Sequence, residues 1–150
     1  MKKVFATSIY HKPLMGSVAT KKLNKQILLD AEDIKSLDAA GEAWSKKNYK
    51  NGFTSYASAN ALQKLSPTFE QLEKKIDLHV NALCKSLEYN LGGKKLKMVT
   101  CWINIMQQNT IHTMHIHPLS VISGTYYVSV PKGSSAIKFE DPRFSSFMAM

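Results

Sequence analysis

Residues 111–131 read IHTMHIHPLSVISGTYYVSVP and carry three of the chain's five histidines together with a tyrosine pair. If residues 111–117 are extended, successive side chains point to opposite faces. His115 and His117 then share one face and His112 takes the other. Two imidazoles at i and i+2 on a strand can both reach one metal ion, and imidazole suits iron, zinc, copper or nickel. The plainer alternative is a strand whose histidines are surface residues or hydrogen-bonded core residues, and spacing alone leaves both readings open. Farther along, Ser123, Thr125, Tyr127 and Ser129 alternate with Ile122, Tyr126, Val128 and Val130. One face of that segment is polar enough to line a site and the other is apolar enough to pack. His112 is expected in a structural or supporting role, and Met106 and Met114 as core fillers.

Working outward, a period of two extends on both sides of this stretch. In KLKMVTCWINIM (95–106) Val99, Cys101, Ile103 and Ile105 alternate with Met98, Thr100, Trp102 and Asn104, as in a strand covered on both sides. VISGTYYVSV (121–130) and SAIKFE (135–140) are separated by the turn PKGS, so about four strands are expected over residues 95–143. Upstream the period is helical. In SPTFEQLEKKIDLHVNALCKSLEYNLGG (66–93), Phe69, Leu72, Ile76, Val80, Leu83 and Leu87 recur every three or four residues. Ser66 as N-cap with Pro67 behind it starts this helix, and Gly92-Gly93 is expected to end it. His79 and Cys84 fall on it five residues apart, share no face, and are not read as ligands. Leu23, Ile27, Ile34 and Leu37 trace an earlier helix, with Asp30, Asp33 or Ser36 as possible interruptions. Asn51-Gly52 marks a turn before a short helix through Leu62 and Leu65.

Length and composition bound the answer. At 150 residues with 44% hydrophobic and 21% charged residues, the chain fits one globular domain with its own core. The helical part spans about residues 20–92 and the β part about 95–143. No apolar run reaches the 18 or so residues of a membrane span, and the N-terminus lacks a secretory apolar core, so a cytoplasmic protein with no membrane partner is expected. Cys84 and Cys101 have no metal or redox spacing and are expected to be reduced and packed. A net charge of +9 invites a nucleic-acid reading. The lysines, however, occur as scattered doublets and Arg143 is the only arginine, whereas phosphate and base recognition relies on guanidinium groups. A solvated lysine surface is the better account, and nucleic acid is not an expected partner.

The segment HIHPLSVISGTYYVSVPKGSSAIKFEDPR (115–143) resembles the central motif of a family of non-heme Fe(II) and 2-oxoglutarate dependent oxygenases, in which H-x-H-P, S-G-x-Y-Y-V and a later D-P-R recur in this order. The resemblance is specific over residues 112–143 and weaker through WINIM (102–106). It implies an α+β fold, with N-terminal helices packed on a partial double-stranded β-helix, or jelly-roll, sheet. It also implies Fe(II) and 2-oxoglutarate as cofactors. His115 corresponds to the first iron ligand, and His117 stands where the related prolyl-hydroxylase-like pattern H-x-D carries a carboxylate ligand. Tyr127 corresponds to the tyrosine that hydrogen-bonds the distal carboxylate of 2-oxoglutarate.

In that wider superfamily the third iron ligand and the 2-oxoglutarate arginine come late in the chain. No histidine follows Tyr127 here, so relative to the family a C-terminal part is expected to be missing. Asp141 could complete the metal shell, Arg143 or Lys138 could hold the carboxylate, or a second copy could complete the half-barrel as a homodimer. The leading expectation is a dioxygenase (hydroxylase) acting on a small-molecule or peptide substrate. The alternative is a non-catalytic metal- or ligand-binding β-sandwich.

Overall fold

The computed structural model describes residues 6–141 and 143. Pro142 of the D-P-R element and the ends of the expected 1–150 domain lie outside the described residues. Ser66 starts the helix α3 (Pro67–Ser86) as the sequence predicts: its side chain accepts from the Thr68 N–H at 3.2 Å, and Pro67 occupies the first turn. Phe69 and Leu72 are buried and Ile76 half-buried on its inner face. The helix stops at Ser86, short of the glycines. Glu88 adopts a left-handed backbone (φ 54°), and the Tyr89 N–H bonds back to the Cys84 carbonyl at 3.0 Å. This is a Schellman closure with glutamate at the position glycine usually takes.

Helix α1 (Ser17–Leu37) runs without interruption through Asp30 and Asp33. Leu23, Ile27 and Ala31 are buried against α3, while Leu37 is exposed. Asp30, expected as a possible breaker, accepts from Ser66 Oγ at 2.8 Å and Gln26 Nε2 at 2.8 Å, tying α1 to the start of α3. The break comes at Asp38, whose carboxylate accepts from the Gly41 N–H at 2.8 Å and so caps α2 (Ala39–Asn48).

The turn at Asn51 (φ 59°) leads into strand β1 (Gly52–Thr54), which pairs antiparallel with β2 (Asn104–Met106) in the register Gly52 to Met106, Phe53 to Ile105 and Thr54 to Asn104. Ser55, fully buried, continues this seam. Its N–H donates to the Ile103 carbonyl at 3.1 Å, and its Oγ accepts from the Ile103 N–H at 3.2 Å. Beyond it the chain makes a single 3-10 turn, Leu62–Lys64, and a parallel bridge joins Ala61 to Cys101. Phe53, Leu62 and Ile103 thereby join α1 and α3 in one core.

Among the described residues the fold is α+β, with three α-helices and a two-stranded antiparallel sheet. The β part expected over 95–143 supplies one ladder strand and one bridge. Residues 111–117, 121–130 and 135–140, whose alternation predicts strands, enter no ladder. A strand is defined by its neighbour, and alternation does not supply one. The covering on two faces expected for 95–106 holds on one and only over part of it: Cys101, Ile103 and Ile105 pack on the core, Thr100 and Asn104 of the other face are exposed, and Val99 at the start is 76% exposed. Met106 and Met114 are exposed rather than core fillers.

The parity of residues 121–130 survives without a ladder. Tyr126 and Val128 pack on the core and Tyr127 faces outward. Asn24 of α1 clamps this segment: its Nδ2 donates to the Val128 carbonyl at 2.9 Å, and its Oδ1 accepts from Tyr126 Oη at 2.5 Å. Asn24→Ala removes both bonds, worth about 1–2 kcal/mol together. Chymotryptic cleavage at Tyr126 and Tyr127 is expected to accelerate by roughly 10-fold, because cleavage tracks the open population. An unchanged rate would show that the clamp does not hold the segment.

Both cysteines are free thiols, Cys84 buried and Cys101 half-buried. Burial, aided by the charge of Glu73, pushes the Cys101 thiol up to about 11. Because the thiolate is the reactive form, alkylation of Cys101 at pH 8, followed by peptide mapping, is expected to be about 100-fold slower in the folded chain than in denaturant. No helix of the described residues is long and apolar enough to cross a membrane.

Candidate metal centre

Two anchors deliver the histidine stretch to its place. The β1–β2 ladder fixes Met106, and beyond it the Asn51 carbonyl accepts from the Gln107 N–H at 3.3 Å and from Thr110 Oγ1 at 2.6 Å. Downstream, the Asn24 clamp holds Tyr126 and Val128. Between these anchors residues 111–117 have no ladder, and their side-chain directions are set by their own contacts.

His115 and His117 converge. Their Nε2 atoms are 3.1 Å apart and their ring centroids 4.8 Å apart. His115 Nδ1 lies 2.8 Å from the Thr113 carbonyl oxygen. A carbonyl can only accept, so the proton of neutral His115 is on Nδ1 and its Nε2 carries a bare lone pair. An outer hydrogen bond of this kind commonly fixes the tautomer of a metal-binding histidine. With an imidazole–metal distance of about 2.1 Å, two nitrogens 3.1 Å apart subtend about 95° at a shared ion, close to the right angle of octahedral coordination. The donor set therefore fits a divalent first-row cation. Without one, the same contact is an N–H···N hydrogen bond from His117 to His115.

His112 departs from the parity expectation. Its ring lies beside that of His115, with centroids 4.8 Å apart, instead of on an opposite face. Alternation needs a continuous strand, and in irregular backbone a spacing of three carries no fixed direction. Tyr49, at the C-terminal end of α2 and 8% exposed, places its hydroxyl 3.2 Å from His112 Nδ1. Burial, and then the neighbouring His115 and His117 rings, hold the His112 pKa below the ordinary imidazole value, while burial raises that of Tyr49. Both groups are neutral at neutral pH. The sequence carried no signal for Tyr49, because only the fold brings the end of α2 to residue 112.

Trp102 walls the other side of the pair. Its ring centroid is 5.8 Å from that of His117 and 5.0 Å from Tyr56, which meets it edge to face. Tyr127 is 54% exposed, and its hydroxyl makes no hydrogen bond among the described residues. Asp141 is engaged elsewhere: Arg143 Nε and a terminal nitrogen donate to its two oxygens at 2.9 and 2.6 Å, holding its carboxyl down at about 2. The two groups form a local turn clamp. No set of three or more His, Cys, Asp or Glu side chains among the described residues is already gathered for a metal. A cavity of about 240 Å³ opens beside Lys35, Glu42, Asn51 and Gln107, with no histidine in its lining. His79 is occupied structurally, with Nε2 donating to the Leu14 carbonyl at 2.8 Å and Nδ1 bonded to Tyr10 Oη at 3.0 Å.

Residues 100–150 match the model of a protein family described as "Putative 2OG-Fe(II) oxygenase". The matched segment opens just before Trp102 and contains all three clustered histidines and Tyr127. No curated protein matches the chain.

Proposed function

We propose, from the match of residues 100–150 to the 2OG-Fe(II) oxygenase family model, that the chain acts as a non-heme Fe(II) and 2-oxoglutarate dependent dioxygenase on a small-molecule or peptide substrate. His115 and His117 hold the metal and Tyr127 bonds the distal carboxylate of 2-oxoglutarate. The observation that carries this reading is the 3.1 Å approach of the two Nε2 atoms with His115 Nδ1 already committed to a carbonyl. When bound, Fe(II) and 2-oxoglutarate supply the oxidative chemistry, in which dioxygen and 2-oxoglutarate become succinate and carbon dioxide while a substrate C–H becomes C–OH.

The chain's own residues orient and shield. Thr113 fixes the His115 tautomer, Trp102, backed by Tyr56, covers one side of His117, and the Asn24 clamp turns Tyr127 away from the core. In this reading β1 and β2 are the paired part of a partial jelly-roll, and residues 111–117 and 121–130 lie beside it outside any ladder. Their exposed apolar side chains, among them Ile116 at 83% and Val121 at 61%, suit a second layer, which a homodimer can supply. The reading also places the chain in the reducing cytoplasm, consistent with its two free thiols.

The test is succinate formation from 2-oxoglutarate under air with added Fe(II). Iron-dependent succinate supports the dioxygenase. Metal binding without any succinate sinks it and favours a non-catalytic metal-binding protein, for which the converging imidazoles serve equally well.

A further inference from the structure

We propose that His112 supplies a third nitrogen to the metal held by His115 and His117, presented by the hydroxyl of Tyr49. The proposal rests on the metal-binding reading of that pair and goes beyond it, because the resemblance assigns His112 no role. Three observations carry it. The ring of His112 stands as far from that of His115 as the ring of His117 does, 4.8 Å in both cases. Two cis imidazoles on one ion, each about 2.1 Å from it through nitrogen, place their ring centres at about this separation.

His112 is also held through the same ring atom as His115. In both rings Nδ1 is held by an oxygen partner, Tyr49 Oη at 3.2 Å in one and the Thr113 carbonyl at 2.8 Å in the other. In both, Nε2 is left facing away from that partner, and with Nδ1–H of His112 donating to Tyr49 Oη its Nε2 offers a lone pair, as in histidines that bind metal through Nε2 and are oriented through Nδ1. Finally, residues 111–117 belong to no ladder. Turning the His112 ring toward the pair therefore breaks no backbone hydrogen bond of a sheet. That turn is required, because the three rings do not converge on one point as they stand. The resulting set, three neutral nitrogens without a carboxylate, would take a divalent first-row cation such as Co(II), Ni(II), Zn(II) or Fe(II).

The experiment titrates Co(II) and Ni(II) into the full chain and into His112→Ala, Tyr49→Phe, His115→Ala and His117→Ala, reading affinity and the visible Co(II) spectrum. His112→Ala is expected to bind at least about 10-fold more weakly with an altered Co(II) spectrum, and added imidazole to restore the original bands. Tyr49→Phe, which keeps the ring and removes only the hydroxyl, is expected to weaken binding by about 10-fold with the same spectrum. If His112→Ala keeps wild-type affinity and spectrum while His115→Ala and His117→Ala lose the metal, His112 is no ligand and the pair stands. Weaker binding that imidazole does not rescue, with an unchanged spectrum, also overturns the proposal. If the wild-type chain binds neither ion, both this inference and the reading beneath it fall.

Discussion

Replacing His117 with alanine is expected to abolish measurable binding of Fe(II) or Co(II), with affinity falling by at least about 100-fold, above the usual cost of losing an outer hydrogen-bond partner. His115→Ala is expected to do the same, because in the proposed site the two Nε2 atoms, 3.1 Å apart, share one ion. The apo protein should barely notice either change. His115 is exposed and His117 only half-buried, so His117→Ala loses one N–H···N bond, His115→Ala loses that bond and the one to the Thr113 carbonyl, and with these losses at the surface the unfolding midpoint should move little. That contrast separates a metal centre from a hydrogen-bonded pair. Trp102 provides the readout: in a Trp44→Phe background, Co(II) is expected to quench its fluorescence, since its ring lies 5.8 Å from that of His117. Undiminished metal affinity in either histidine variant would remove the basis of the site.

Phe69→Ala is expected to cost about 3–5 kcal/mol of folding stability, the largest loss from any single truncation on α3. Phe69 is 2% exposed and packs in the cluster where α1, α3, β1 and Ile103 meet. Its removal opens a cavity at the junction that positions the whole C-terminal segment. The control is Leu78→Ala on the same helix, 65% exposed, for which a change within about 0.5 kcal/mol is expected. Urea unfolding of the two variants checks both values. A Phe69→Ala loss below about 1 kcal/mol would mean that this junction is not where the core lies.

Much of this molecule was written in local patterns. Ser66 and Pro67 announce α3, and the apolar spacing from Phe69 to Ile76 identifies its buried side, because a helical period is a property of neighbours in the chain. The His115–His117 step and the opposite directions of Tyr126 and Tyr127 were legible for the same reason. Other features depend on residues far apart. Asp30 stays inside a helix because Ser66, brought near by packing, takes its carboxylate. Gly52, Phe53 and Thr54 become a strand because residues 104–106 lie alongside, whereas α3 ends at Ser86 because the chain turns at Glu88, before its glycines. The exposure of Leu37 follows from the Asp38 break, which its spacing did not foretell.

The histidine stretch divides along this same line. The sequence by itself determined that His115 and His117 lie two residues apart beside an outward-facing Tyr127. Only the tertiary structure decided that the His112 ring lies beside that of His115. Alternation assigns faces only where a ladder holds the backbone extended, and residues 111–117 have none. The direction of His112 was left to a hydrogen bond with Tyr49, sixty-three residues earlier in the chain.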